Sequence, residues 1–300
     1  MSYTHPIVKG EKHSNLMPTG TALVLEGGGT RGFYSAGVFE AFMDAGIMFP
    51  YVIGVSAGAA NAMSYISGQK LRNRVILENY VGNHQYVSRR NLLRYGTLFG
   101  YDFIFETVPT RHIFFDRENF DNTDIRFLTG AMDCATGQTI WFEKNEICDK
   151  YTVTRASCSV PFLAKIVKRD GVDLLDGGIS DPIPIEKSVA DGNNFHVIVL
   201  TRNSGYRKKA FKHRWLLKLF YKKYPQLIET VLNRHEIYNR QLALCEELER
   251  KKRALIIRPQ KPISVDRTSA NIGKLLKLYD EGHTEGAEAV RMLQEILAVG

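Results

Sequence analysis

The sequence holds little that would suit an oxidising compartment or the interior of a membrane. Its 300 residues include four cysteines, Cys134, Cys148, Cys158 and Cys245. Their spacings match neither a CxxC pair nor a dense disulfide framework, so they read as reduced core thiols. No stretch approaches the roughly 18 consecutive apolar residues that a membrane-spanning helix needs. The opening segment MSYTHPIVKGEKHSNLMPTG has no apolar h-region and no small-residue cleavage site, so the expected compartment is the cytoplasm. The eight histidines form no HExxH motif and no i, i+4 pair, so neither a metal nor a cofactor is expected. Gly at 25 and Pro at 10 are ordinary, and 44% hydrophobic with 24% charged residues excludes a disordered chain.

What the chain does have is a concentrated charge. Forty Lys and Arg against 32 Asp and Glu give a formal net charge of +8, and Arg207 to Lys223 (RKKAFKHRWLLKLFYKK) holds eight of those cations and no acid. The excess is therefore one local patch, suited to anionic lipid, nucleic acid or an acidic partner. Nucleic acid is not expected, because no recognised motif accompanies the charge. In a helix, Phe211, Trp215 and Leu219 would share a face with Lys208, Lys212 and Lys222, which weakens its amphipathic character. The segment thus reads either as a peripheral contact with an anionic membrane or as a solvated basic loop.

Regular structure is legible from Thr21. The apolar run ALVLE, the glycines GGGTRG and the helically spaced FYSAGVFEAFMDAG give strand, loop and helix. YVIGVSAG followed by AANAMSYISG repeats the pattern, which implies a parallel βαβ start. After an aromatic and Arg-rich stretch (Asn79 to Phe120), IRFLTGAMDCATGQTIWFEK reads as two strands, and FHVIVLTR and RALIIRP as two more. From Pro225, Ile228, Val231, Leu232, His235, Tyr238, Leu242, Cys245 and Leu248 recur at spacings of three and four, which predicts a long helix with one buried face. The expected organisation is a tail over 1–20, a core over 21–205 and a basic and helical extension over 206–300 packed on that core. The fold class is α/β, with a mainly parallel sheet and helices on both faces.

Three motifs carry chemistry. GVSAG (Gly54 to Gly58) matches G-x-S-x-G, a strand-to-helix turn so sharp that Ser56 is held in strained geometry at a helix N-terminus. Gly54 and Gly58 are needed because a Cβ would collide with the neighbouring strand and helix. GGGTRG (Gly27 to Gly32) also fits a dinucleotide fingerprint, yet the second strand ends in Gly54-Val55-Ser56 where that fold needs an acidic residue, and Asp44 lies in the helix. The better account is a row of glycine amides, Gly27, Gly28 and Gly29, aimed at an oxyanion, with Arg31 paired to a carboxylate or facing a substrate phosphate. A nucleophilic serine needs a base. The candidates are Asp176, delivered by LLDGG into a turn cleared by Gly177 and Gly178, and the later His196 or His283 of a Ser-His-Asp triad.

Together, G-G-G-x-R-G, G-x-S-x-G about 25 residues later and D-G-G about 120 residues further resemble the patatin-like phospholipase family across Thr21 to Phe195. ASCSVPFLA (Ala156 to Ala164) and Ile183-Pro184 are similar to its flanking segments. The resemblance implies a three-layer fold and a lipid acyl hydrolase of phospholipase A or lysophospholipase type. It also implies Ser56 as nucleophile, Asp176 as base, Gly27 to Gly29 as oxyanion hole, and Arg31, Gly32, Gly54, Gly58, Gly177 and Gly178 as support. The expected partner is a phospholipid or other acyl-ester lipid. The alternatives are a Ser-His-Asp esterase for soluble esters and a nucleotide-type binding protein. RHEIYNRQ is similar to the helical extension of bacterial members and implies no activity of its own.

Overall fold

The computed structural model describes residues 10–11, 15–147 and 151–299, so Cys148 and most of the expected tail lie outside the described residues. The chain begins with β1 (Asn15–Leu16), β2 (Thr21–Leu25), α1 (Phe33–Asp44), β3 (Ile47–Met48), β4 (Tyr51–Val55) and α2 (Ser56–Ile66). The aromatic-rich stretch forms α3 (Arg72–Asn79), α4 (Arg89–Tyr95), a π-helical segment over Phe103–His112 and α5 (Arg117–Asn122). Next come β5 (Arg126–Asp133), β6 (Thr139–Glu143), α6 (Lys144–Ile147), α7 (Thr152–Cys158), β7 (Val167–Arg169) and β8 (Val172–Asp176). The remainder is α8 (Ile185–Ala190), β9 (Phe195–Val199), α9 (Arg214–Tyr221), α10 (Pro225–Arg250), β10 (Ala254–Ile257) and α11 (Ile272–Val299).

Eight strands make one mixed, mostly parallel sheet in the order β10-β9-β2-β4-β5-β8-β7, with β6 also paired to β5. Neighbours from β10 to β5 run parallel, and the pairs β5–β6, β5–β8 and β7–β8 are antiparallel. Successive side chains of a strand point to opposite faces, and here both faces are apolar. Leu23, Leu25, Val52, Val197 and Val199 join the core cluster that contains α1, α2 and α11 residues. Ala22, Val24, Ile53, Ile198 and Leu200 join Tyr238, Leu242, Cys245 and Leu248 of α10. The sheet is therefore the middle of three layers.

The C-terminal segment is woven into this arrangement. β10 adds the outermost parallel strand, with Ala254 opposite His196, and α11 lies against α1. That approach is close: a Cβ on Gly282 would stand 2.1 Å from Tyr34 O, and one on Gly37 2.0 Å from Tyr279 O. α10 buries Ile228, Val231, Tyr238, Leu242, Cys245 and Leu248 as its periodicity predicts, with Leu232 and His235 only partly buried.

Two expectations need correction. The basic segment is not one solvated loop, since Arg214–Tyr221 is helical and buries Leu217 and Tyr221. Lys208 and Phe211 precede that helix, so they do not share its faces. Among the described cysteines, Cys134 and Cys245 are buried free thiols, but Cys158 is only partly buried and lines a cavity.

Candidate active site

β4 runs straight into α2, and Ser56 stands at the junction with φ +54°. A non-glycine residue in the left-handed region is disfavoured by about 1–3 kcal/mol, so the surroundings must hold it there. They do so from both sides. A Cβ on Gly58 would lie 2.7 Å from Glu26 O, and one on Gly54 3.1 Å from the Ala59 nitrogen, which leaves the turn no room to open. The Ser56 N–H donates to Ser157 Oγ at 2.8 Å, and Ser157 in turn donates to Gly130 O at 2.7 Å. Both bonds are buried, and Ser157 lies in ASCSVPFLA, a segment whose resemblance gave no role to this serine.

Strand register brings the aspartate to the serine. β4 pairs with β5 up to Val55 opposite Gly130, and β8, running the other way along β5, reaches its end with Asp176 opposite Ala131. β6 occupies the other edge of β5 through the same residues, so β4 and β8 meet end to end on one edge. The Ser56 hydroxyl donates to Asp176 Oδ2 at 2.8 Å, and the Gly178 N–H donates to Oδ1 at 2.7 Å. The Asp-Gly-Gly turn is required by space as well: a Cβ on Gly177 would stand 2.2 Å from Gly130 O. Burial pushes the Asp176 carboxyl above the usual carboxylate range, opposed by the Ser56 hydrogen bond, Arg234, the Gly178 amide and Arg267.

The glycine loop follows β2 beside this pair. Gly29 adopts φ +57°, and a Cβ there would lie 2.2 Å from Arg267 O, which accepts from the Thr30 N–H at 2.9 Å. A Cβ on Gly27 would lie 2.9 Å from Ser56 Cβ, and Gly32 packs against Ala57. The amides of Gly27 and Gly28 precede the 3-10 turn Gly29–Gly32 and donate to no carbonyl among the described residues. Arg31 departs from expectation. Its guanidinium has no carboxylate within ion-pair distance among the described residues, which removes the carboxylate pairing and leaves the phosphate-facing alternative; the nearby Glu26 carboxylate accepts the Thr201 N–H at 2.6 Å. Desolvation and Arg202 hold Arg31 down to about 10.

The histidines lie elsewhere. His196 is buried in β9 with Nδ1 3.1 Å from Ser188 Oγ, and burial lowers it to about 4. His283 Nε2 is 3.0 Å from Asp44 Oδ2 on the outside of α1. His235 approaches the site but places Nδ1 2.9 Å from Leu232 O.

Ser56, Gly29 and Val160 form the boundary between two cavities. One, of about 120 Å³, is lined by Phe33, Ile76, Tyr101, Phe105, Val108 and Phe115, among others. The other, of about 370 Å³, is lined by Asp176, by Arg31, Arg202, Lys208, Arg234 and Arg267, and by Phe162 and Phe211. Of these cations Arg31 belongs to a motif read as chemical, and Arg234 opens the segment RHEIYNRQ, from which no activity was expected. Lys208 lay in a run read as surface charge, and nothing in the sequence placed Arg267 near Ser56.

The uncharacterised protein YjjU of Escherichia coli is 29% identical over 280 residues, covering 90% of this chain and 76% of that protein. An uncharacterised NTE family protein of Mycobacterium tuberculosis is 27% identical over 173 residues, 55% of this chain and 44% of its own. The crystal structure of VipD from Legionella pneumophila aligns over 95% of this chain and 68% of its own, with TM-score 0.45 and 13% identity. A family model for a domain of unknown function, DUF6363, matches residues 224–298. The model for patatin-like phospholipase matches residues 23–188, from β2 into α8, and since that is more than half of the chain, this protein belongs to the patatin-like phospholipase family.

Proposed function

We propose that the protein hydrolyses carboxylic esters of lipids, in the manner of a phospholipase A or lysophospholipase, with Ser56 as nucleophile and Asp176 as general base. Family membership supports lipid hydrolase activity in general. The finer reading rests on one observation, the 2.8 Å hydrogen bond from Ser56 Oγ to Asp176 Oδ2 beside an apolar cavity. Asp176 takes the hydroxyl proton as Oγ attacks the ester carbonyl, and the tetrahedral oxyanion lies against the Gly27, Gly28 and Gly29 amides. Collapse expels the alcohol, which receives the proton from Asp176. Water then gives a proton to Asp176 and its hydroxyl to the acyl carbon, releasing the fatty acid and restoring Ser56. Burial makes Asp176 a stronger base than an exposed carboxylate, which narrows its mismatch with an alcohol.

The test is hydrolysis of a lipid panel. Ser56→Ala and Asp176→Asn should each lose at least about a thousandfold in kcat, and a fluorophosphonate should label the wild type at Ser56. His196→Ala and His283→Ala should keep most turnover. A loss at either histidine equal to that at Asp176 would instead favour the Ser-His-Asp esterase.

α9 supports a second element of this reading, peripheral docking on an anionic membrane. Trp215, Leu219 and Phe220 are each more than 60% exposed, while Lys212, Lys218 and Lys222 beside them are exposed. Each such cation contributes on the order of 1 kcal/mol near an anionic surface. Replacing the three lysines with Gln should therefore weaken sedimentation with anionic liposomes by about a hundredfold, and salt should weaken the wild type similarly. Equal binding by both proteins would remove the membrane contact from the reading.

A further inference from the structure

The proposed chemistry leaves the charge of the larger cavity unused. Six cations line it, Arg31, Arg202, Lys208, Lys209, Arg234 and Arg267, against three carboxylates, Glu26, Asp176 and Asp266. Two of those carboxylates are committed, Glu26 to the Thr201 N–H and Asp176 to Ser56 and Gly178. None of the six cations has a carboxylate within 4.0 Å among the described residues, although Arg74, Arg126, Arg155 and Arg169 elsewhere are all paired. Arg31 is nine-tenths buried, and its Nε has no hydrogen-bond partner among the described residues. Arg202 lies over the Tyr206 ring at 4.6 Å, Lys208 Nζ over Tyr238 at 5.8 Å, and Arg234 Nε donates to Gly178 O at 2.6 Å.

Like charges gathered in a partly desolvated cavity oppose folding unless an anion completes them. The crowding is visible in Lys208, which desolvation, Arg234, Arg267 and Arg31 together bring down to about 7 despite Glu26. Guanidinium groups suit phosphate in particular, because their planar N–H pairs match two phosphate oxygens. The position of the cluster sets its use. Ser56 divides an apolar cavity from this cationic one, so an ester with its acyl chain on the apolar side turns its alcohol toward the arginines.

We propose that the cationic cavity is a phosphate site, and that the preferred substrates are acyl esters of a phosphorylated alcohol with net negative charge, ahead of zwitterionic and neutral esters. Arg234 and Arg267 come from residues 224–298, so the C-terminal segment supplies specificity to a reaction centre carried by the core. This rests on the proposed ester hydrolysis, but the anion site can be read separately.

The experiment compares kcat/KM for 1-acylglycerol 3-phosphate, the corresponding phosphocholine ester and monoacylglycerol in wild type and in the double variant Arg202→Gln, Arg267→Gln. A soluble short-chain acylglycerol phosphate distinguishes a membrane lipid from a free phosphate ester. The wild type should prefer the anionic ester over the neutral one by a hundredfold or more, and the double variant should lose at least tenfold of that ratio. Inorganic phosphate should inhibit neutral-ester hydrolysis competitively, a readout that needs no variant. If no ester is hydrolysed, the hydrolase reading fails, and calorimetry of glycerol 3-phosphate with Ser56→Ala protein decides the anion site. Saturable binding, weakened at least tenfold when the two arginines are also replaced, supports the site. Absence of phosphate binding and of phosphate inhibition, or an anionic preference unchanged in the double variant, overturns it.

Discussion

The two cavities that meet at Ser56 are assembled from different parts of the chain. Every residue of the apolar one lies between Gly29 and Val160, within the stretch matched by the family model. The cationic one draws Arg202, Lys208 and Phe211 from the connection after β9, Val231, Arg234 and Tyr238 from α10, and Arg267 from the loop before α11. An aromatic pocket follows from packing around α2, and its cohesion is non-directional. A cluster of unpaired cations opposes folding locally and must be held by elements that are stable for other reasons, here β10 in the sheet and α11 against α1. One side can therefore change with the C-terminal segment while the Ser56–Asp176 pair stays intact.

The strongest way to break this comparison is to fill one side. Ala60 lines the apolar cavity and not the cationic one. Ala60→Phe should cut kcat/KM for a long-chain ester about a hundredfold relative to an acetyl ester, since four buried methylenes at ~0.8 kcal/mol each give ~3 kcal/mol. A chain-length series measures this, and equal losses on long and short chains would place the acyl group elsewhere.

A smaller effect should fall on both sides alike. Ser157→Ala leaves the buried Ser56 N–H and Gly130 carbonyl without their partner, at about 1–3 kcal/mol per group. We expect a thermal midpoint lowered by about 4 °C or more, and kcat reduced about tenfold on every ester. Chain-length and charge preferences should not change. A variant that altered either preference would show that Ser157 does more than hold the turn.

The smallest expected effect is a divergence with pH. The proposed base, Asp176, can take a proton only when ionised, and burial raises its carboxyl, so turnover of a neutral ester should rise with pH through an acid limb shifted upward. Lys208, brought down to about 7, is charged below that pH and neutral above it. Preference for an anionic ester should therefore fall about threefold between pH 6 and 8 while neutral-ester turnover climbs or holds. Parallel pH profiles for the two substrates would remove Lys208 from the anion site.

Much of the frame was legible because it is written in contiguous residues. ALVLE and YVIGV carry the continuous apolarity of strands buried on both faces, and β2, α1, β4 and α2 follow in the order read. The long helix from Pro225 announced its buried face through spacings of three and four. Gly58 and Gly177 marked places where a Cβ has no room, and Gly54 one where it would be tight, a requirement that is local and so leaves a trace in the motif. α9 was less readable, since eight helical residues inside a basic run give the periodicity too little length to stand out.

The sequence by itself determined the strand-loop-helix units, the strained serine turn and the residue types available as bases. Residue types and spacing left Asp176, His196 and His283 as rivals, because no local rule ranks groups more than a hundred residues from Ser56, and only the family resemblance favoured Asp176. Only the tertiary structure decided which of them touches the serine, through the register that ends β4 and β8 on adjacent residues of β5. It also left Arg31 without a carboxylate among the described residues, turned Lys208 inward and brought Arg234 and Arg267 to the same cavity. The physical reason is that backbone conformation and burial pattern depend on neighbours in the chain, whereas the pairing of charges and hydrogen bonds depends on neighbours in space.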